Sequence, residues 1–312
     1  RIKKMKHFIN LKDISSTDLR KIITDAKKRK SLRKNLSTLE VDKGSPLKGK
    51  LLIQMFEKSS LRTRISFYLA IKQLGGDTLT LRSNELHLGQ GGESIADTGR
   101  VLSRYLDGVM IRALRHETVT ELALNSDIPI INGLTNLSHP CQIMADLQTI
   151  IECHGSFKDA KVCWFGDGNN VANSWIEAAA LFGFELRLAG PEAYRPPAAL
   201  LAWARARGAK IILTEDPVAA AIDASVIATD VWISMGDEVG SRERDMYPFQ
   251  VTTALMDRAQ PDVIFMHCLP AVRGQEVTEE VIDGPQSVIY DEAENRLHVQ
   301  KAIMAHILSE NF

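Results

Sequence analysis

Short apolar runs recur along the chain at 50–55, 108–112, 128–132, 161–166, 185–189, 210–213, 225–229 and 262–267, each the length of a strand. Between most of them apolar residues return every three or four positions, as amphipathic helices require, at 94–106, 117–124, 140–152, 170–183 and 197–207. Strands alternating with helices predict parallel sheets covered on both faces. An earlier helix is expected where Ser15-Ser16-Thr17 can cap a run through Leu19, Ile22, Ile23 and Ala26. It ends in Lys27-Lys28-Arg29-Lys30, which reads as a solvated cationic end facing the negative pole of the helix.

The 312 residues exceed what one core serves well, since a domain takes about 150 residues, so two domains are expected. The seam falls near His154-Gly155-Ser156-Phe157-Lys158, after one helix and before the strand opening at Lys161. The pattern therefore predicts an α/β chain of two doubly wound parallel-sheet domains, 5–153 and 154–293, with the active site in the cleft between them. The final stretch 294–312, helical from Glu294 to Leu308, is long enough to pack back on the first domain.

Lysine and arginine number 38 against 39 acidic residues, so bulk charge implies neither a nucleic acid nor a membrane surface as partner. No apolar run reaches the ~18 residues of a membrane span. Cys141, Cys153, Cys163 and Cys268 show no close pairing and no Cys-x-x-Cys, which argues for reduced thiols, a cytoplasmic location and no structural zinc.

Any cationic site must then be local, and one is visible. Phe56-Glu57-Lys58-Ser59-Ser60-Leu61-Arg62-Thr63-Arg64 joins the strand-like Leu51–Met55 to a helical pattern from Ile65. Hydroxyls and guanidiniums at the start of a helix trap anions, because its first N–H groups are unpaired and its dipole is positive there. The glycine patterns of nucleotide and dinucleotide loops are missing, so a small phosphorylated metabolite fits best. Capping alone would also explain these residues.

Five further candidates follow strand ends, where open parallel sheets carry function. They are Arg112, His139-Pro140-Cys141-Gln142, Gly166-Asp167-Gly168-Asn169-Asn170, Asp230 through Ser234-Met235-Gly236, and His267-Cys268-Leu269-Pro270. Singly, each has a plainer reading as an ion pair, a helix start, a turn or a core thiol. Jointly, with Ser60-Leu61-Arg62-Thr63-Arg64 in the place of a Ser-Thr-Arg-Thr-Arg motif, they resemble the aspartate/ornithine carbamoyltransferase family over essentially the whole chain from Met5. Asp230 with Ser234-Met235-Gly236, and a cysteine rather than a proline after His267, place the resemblance on the ornithine branch.

The resemblance implies transfer of the carbamoyl group of carbamoyl phosphate to the δ-amine of L-ornithine, giving L-citrulline and phosphate. It implies no cofactor and no metal, a homotrimer or a multiple of it, and a place in arginine biosynthesis or the reverse, catabolic direction. By the same resemblance Ser60, Leu61, Arg62, Thr63 and Arg112 surround the phosphate, while His139, Pro140, Cys141 and Gln142, with Arg112, meet the carbamoyl group. The carbonyls of Cys268 and Leu269 accept from its NH2, and Arg296 reaches the same ligand. Arg112, His139 and Cys268 are the implied catalytic residues. Asn170, Ser234 and Met235 hold the α-groups of ornithine, and Asp230 its amino end. The attacking amine has an ordinary pKa near ~10.4, so the site must favour its neutral form. Cys268 is closest to that task, as a base or by orienting the amine, with the departing phosphate as the other competent base.

Two positions depart from the family pattern. Leu61 replaces a threonine and keeps only a backbone N–H for the phosphate. The loop Leu86–Glu93 is about one residue longer than in relatives, so the glutamine a neighbouring subunit commonly lends has His87, Gln90 or neither as its counterpart. The rival readings are a carbamoyltransferase for putrescine or N-acetylornithine, and a non-catalytic metabolite sensor on the second domain.

Overall fold

A computed structural model describes residues 7–82, 85, 92–233 and 242–308. Among the described residues nine strands run in chain order: β1 Leu51–Phe56, β2 Asp77–Arg82, β3 Gly108–Arg112, β4 Ile130–Leu134, β5 Lys161–Phe165, β6 Glu185–Ala189, β7 Ile211–Thr214, β8 Val226–Thr229 and β9 Ile264–His267. They form two parallel sheets, ordered β2-β1-β3-β4 and β7-β6-β5-β8-β9. The described chain divides into two compact units. One holds the chain up to Ala145 together with the stretch from Asn295 onward, and the other is Asp146–Glu294.

The central strands of each sheet are apolar on both faces, as strands covered by helices must be. In the first unit Ile53, Met55, Val109, Ile111 and Ile130 pack with Val119 and Leu122 of the helix His116–Leu124. In the second, Cys163, Phe165, Ile227 and Phe265 pack with Ala220, Leu255 and Val281. Removing apolar side chains such as these from water stabilises a fold by about 1.5–3 kcal/mol each.

Several local expectations are corrected. β2 was not expected; its Asp-Thr-Leu-Thr-Leu-Arg alternates and stays half-exposed at the sheet edge, which gives a weak apolar signal. β4 begins at Ile130 instead of 128, because Pro129 has no N–H for the ladder and offers only its carbonyl, to the N–H of Val109. The cationic end of the first helix, Ser16–Leu32, is only half solvated. Arg29 pairs with Asp25 at 2.7 Å, and Lys30 Nζ donates to Asn295 Oδ1 at 2.8 Å. The final helix, Ile289–Leu308, contributes Lys301, which is fully buried with Nζ 2.6 Å from Asp42 Oδ2. Burial outweighs that carboxylate and lowers the ammonium to about 8.

Candidate active site

The anion-trap motif lies where β1 gives way to a helix that starts at Leu61, one turn earlier than the apolar pattern suggested. Ser60 caps it, its Oγ accepting from the N–H of Thr63 at 3.4 Å. Leu61 is thus the first helical residue and turns its side chain outward, 73% exposed. Thr63 is fully buried, and two guanidiniums converge on its hydroxyl: Arg296 Nη2 at 2.8 Å and Arg112 Nη1 at 3.4 Å.

Arg112 ends β3 at an irregularity. Ile111 pairs with Asn132 but Arg112 with Leu134, so Gly133 is an extra residue in β4, and such a bulge re-aims the side chain beside it. Within β4, Asn132 Nδ2 donates to the carbonyl of Ile9 at 3.0 Å and to Ser138 Oγ at 2.9 Å, tying down the turn that delivers His139. Pro140 then opens the helix Pro140–His154, and His139, Cys141 and Gln142 are buried at its start. Burial, then Arg296, Arg112 and Arg62, hold His139 well below the usual histidine range, so it is neutral at physiological pH. Burial pushes the Cys141 thiol up to about 12 and leaves it inert.

The second cluster belongs to the other unit. Asp230 follows β8 and is buried, with three donors on its carboxyl: Val231 N–H at 2.8 Å, Asn169 Nδ2 at 3.3 Å and Cys268 Sγ at 3.3 Å. Burial pushes Asp230 up, opposed by His267 and by these donors. Cys268 is half-buried, yet desolvation is still the largest effect on its thiol and, with Asp230 beside it, raises it well above the ordinary value. Cys268 is therefore a thiol that donates to Asp230 at neutral pH.

The turn after β9 is built around His267. Its Nδ1 accepts from the N–H of Leu269 at 2.9 Å, which leaves the proton on Nε2, facing the buried Glu276 Oε1 at 3.1 Å. This fixes Leu269 in the left-handed region at φ 58, an uncommon conformation for a branched residue. Asp230, His267 and Cys268 bring donor atoms within 4.8 Å of one another, but both ring nitrogens of His267 are already engaged, one by the N–H of Leu269 and the other by Glu276.

In the glycine turn, Asn169 caps the helix Asn170–Phe182 and its Nδ2 reaches Asp230. Gly166 needs its positive φ of 147, and a Cβ on Gly168 would run into the backbone of Arg195 and Pro196. The space beside this turn is about 10 Å³, room for one water and none for a nucleotide phosphate.

The implied carbamoyl phosphate ligands thus divide. Ser60 through Thr63, Arg112, His139 through Gln142 and Arg296 gather in the first unit, whereas Cys268 and Leu269 stand with Asp230 and the Asn169–Asn170 turn in the second. Ser234, Met235, Gly236, His87 and Gln90 lie outside the described residues. Asn169 and Asp167 were picked out only as parts of the glycine turn, and Glu276 was missed. A cap position could have pointed to Asn169, but nothing in the sequence marks Glu276, nine residues from the histidine it orients.

A guanidinium-lined cradle on one parallel-sheet unit, and a carboxylate–thiol pair at the strand ends of another, define an α/β enzyme that handles a phosphorylated ligand and a second, polar one. Residues 6–152 match the carbamoyl-phosphate-binding domain, and residues 158–307 the Asp/Orn-binding domain, of aspartate/ornithine carbamoyltransferases. The chain belongs to the aspartate/ornithine carbamoyltransferase family. It is 51% identical over 307 residues to an ornithine carbamoyltransferase of Brucella suis, covering 98% of this chain and 96% of that one. The figure is 50% over 301 residues for that of Rhizobium meliloti, covering 96% and 97%. Among solved structures, the ornithine carbamoyltransferase from Pyrococcus furiosus superimposes with a TM-score of 0.92 at 44% identity, covering 98% of this chain and 97% of that one.

Proposed function

We infer that this chain is an ornithine carbamoyltransferase, making L-citrulline and phosphate from carbamoyl phosphate and L-ornithine. The carrying observation is the pairing of two unlike sites on one chain: guanidiniums converging on Thr63 at a helix start, and a buried carboxylate bound by a thiol. The first suits a phosphate and the second a cationic amine. The relatives' names agree with both.

In this reading Ser60, Arg62, Thr63 and the backbone N–H of Leu61 bind the phosphate with Arg112 and Arg296. Arginine suits the task because its planar fork matches phosphate oxygens and stays charged. Arg112, His139 and Gln142, beside Pro140 and Cys141, take the carbamoyl group, whose oxygen becomes negative as the carbon turns tetrahedral, and donors aimed at it lower the barrier. Neutral His139 can donate one N–H without adding a fourth positive charge. The carbonyls of Cys268 and Leu269 accept from the carbamoyl NH2. Asp230 draws in the amino end of ornithine, and Asn170, Ser234 and Met235 hold its α-groups. The neutral δ-nitrogen then bonds to the carbonyl carbon, the carbon–oxygen bond to phosphate breaks, and the departing phosphate takes the amine proton. No electrons are exchanged with a cofactor.

The domains are assigned as 5–153, with 294–312, for carbamoyl phosphate and 154–293 for ornithine. Assembly as a homotrimer or a multiple of it is supported by Ile65, Tyr68 and Leu79, apolar and exposed on the first unit. A cytoplasmic setting is consistent with four cysteines that form no disulfide, and a role in arginine biosynthesis goes with the activity proposed here. A citrulline assay tests the reading. Ornithine should be carbamoylated far faster than putrescine or N-acetylornithine, and equal or better turnover of either alternative would overturn it.

A further inference from the structure

β5 and β8 are neighbours in the second sheet, and each ends in a segment of the ornithine site as read above: Gly166–Asn170 after β5, Asp230–Trp232 after β8. The side chain of Arg242 spans the two. Arg242 donates from Nε to the carbonyl of Trp232 at 2.8 Å and from Nη2 to the carboxylate of Asp167. Its guanidinium lies over the ring of Tyr194, 4.7 Å from the centroid, and the Tyr194 hydroxyl donates to Asp245 Oδ2 at 3.1 Å. Both attachment points are themselves fixed. Trp164 Nε1 holds the carbonyl of Asp167 at 2.8 Å, and Trp232 is 2% exposed. The ion pair is nearly dry, with side-chain exposures of 15% for Arg242 and 7% for Asp167.

We propose that Arg242 is a positioning residue for the amino-acid substrate, holding the Asn169–Asn170 turn at a fixed distance from Asp230. The inference rests on the assignment of this site to ornithine. Asn169 and Asp230 already share a weak 3.3 Å hydrogen bond, and Arg242 is the crosspiece that keeps their two segments in register. Its fork supplies donors in two directions while one face stacks on an aromatic ring, which a lysine's point charge cannot do.

The test compares Arg242→Gln, Arg242→Lys, Asp167→Asn and the Arg242→Gln/Asp167→Asn double variant in the full chain. Ornithine KM should rise about tenfold to a hundredfold in Arg242→Gln, the scale of a lost charged hydrogen bond. Carbamoyl phosphate affinity by calorimetry should stay near wild type, the melting temperature of Arg242→Gln should fall because Asp167 is left without its partner in a nearly dry site, and Arg242→Lys should recover only part of the loss in ornithine binding. The double variant should be no worse than the worse single one, because both break the same link. Unchanged ornithine KM, equal weakening of both substrates, or additive losses would each overturn the proposal. Should Arg242→Gln not fold, Arg242→Lys is judged by the same two affinities. Wild-type citrulline formation reports on the functional assignment by itself. If it is absent this inference falls too, and if it is present the variant-to-wild-type ratios alone decide.

Discussion

Cys268 Sγ lies 3.3 Å from Asp230 Oδ1, and the raised thiol makes sulfur the donor and the carboxylate the acceptor. The base role left open for Cys268 in the sequence therefore loses its thiolate. Activity should rise toward alkaline pH because the substrate amine deprotonates, and Cys268→Ala should keep that rise. Losing the hydrogen bond should raise ornithine KM by about five- to thirtyfold, from ~1–2 kcal/mol. A pH–rate profile that goes flat in Cys268→Ala would return the base role to the thiol.

Leu61 offers a cleaner separation of backbone from side chain. It is the first residue of its helix, Ser60 before it is extended at φ −152 and ψ 120, and both geometries accept a following proline. Leu61→Pro should fold normally and remove a single N–H. Carbamoyl phosphate binding should weaken by about tenfold or more, whereas Leu61→Ala should bind as wild type. Calorimetry on the two variants decides, and equal affinities would remove the backbone N–H from the phosphate site.

Arg112→Gln shortens the side chain and removes its charge and fork. By comparison with loss of one oxyanion donor at ~3 kcal/mol, kcat should fall about a hundredfold. Near-normal turnover in a folded variant would mean that the bulge at Ile111/Arg112 aims the guanidinium elsewhere.

His139 links the site to acid stability. Burial and three arginines depress it in the folded protein, while the unfolded chain keeps it near ~6.5. Below that value the unfolded chain binds a proton the folded one refuses. The stability tied to neutral His139 is whole above about pH 6.5 and is lost as pH falls further. The difference in melting temperature between pH 7.5 and pH 5 should shrink in His139→Gln, and an unchanged difference would mean that His139 is not desolvated.

Most strands and helices were legible because apolar periodicity and burial coincide in the sheet centres. β2 was not, since an edge strand buries one face in part and spells Asp-Thr-Leu-Thr-Leu-Arg. Motif spacing singled out Arg112, His139, Asp230 and Cys268, and the fold sets each at or after the end of a parallel strand. Which asparagine of the glycine turn caps the next helix became visible only with the fold. Glu276 was invisible for a different reason: its partner His267 becomes its neighbour only when the chain turns back after β9. Lys27-Lys28-Arg29-Lys30 was misjudged because Asn295, nearly the whole chain away, recruits Lys30.

The backbone of Arg195 and Pro196 pressed against Gly168 bears on protein engineering. The second unit has the strand order of a nucleotide-binding sheet, and to an engineer the turn after β5 reads as a ready-made socket. What blocks the socket is main chain, so no side-chain truncation at those positions would open it. Installing a nucleotide there would mean rebuilding the connection from Gly190 to Pro197, and with it Tyr194, on which Arg242 rests.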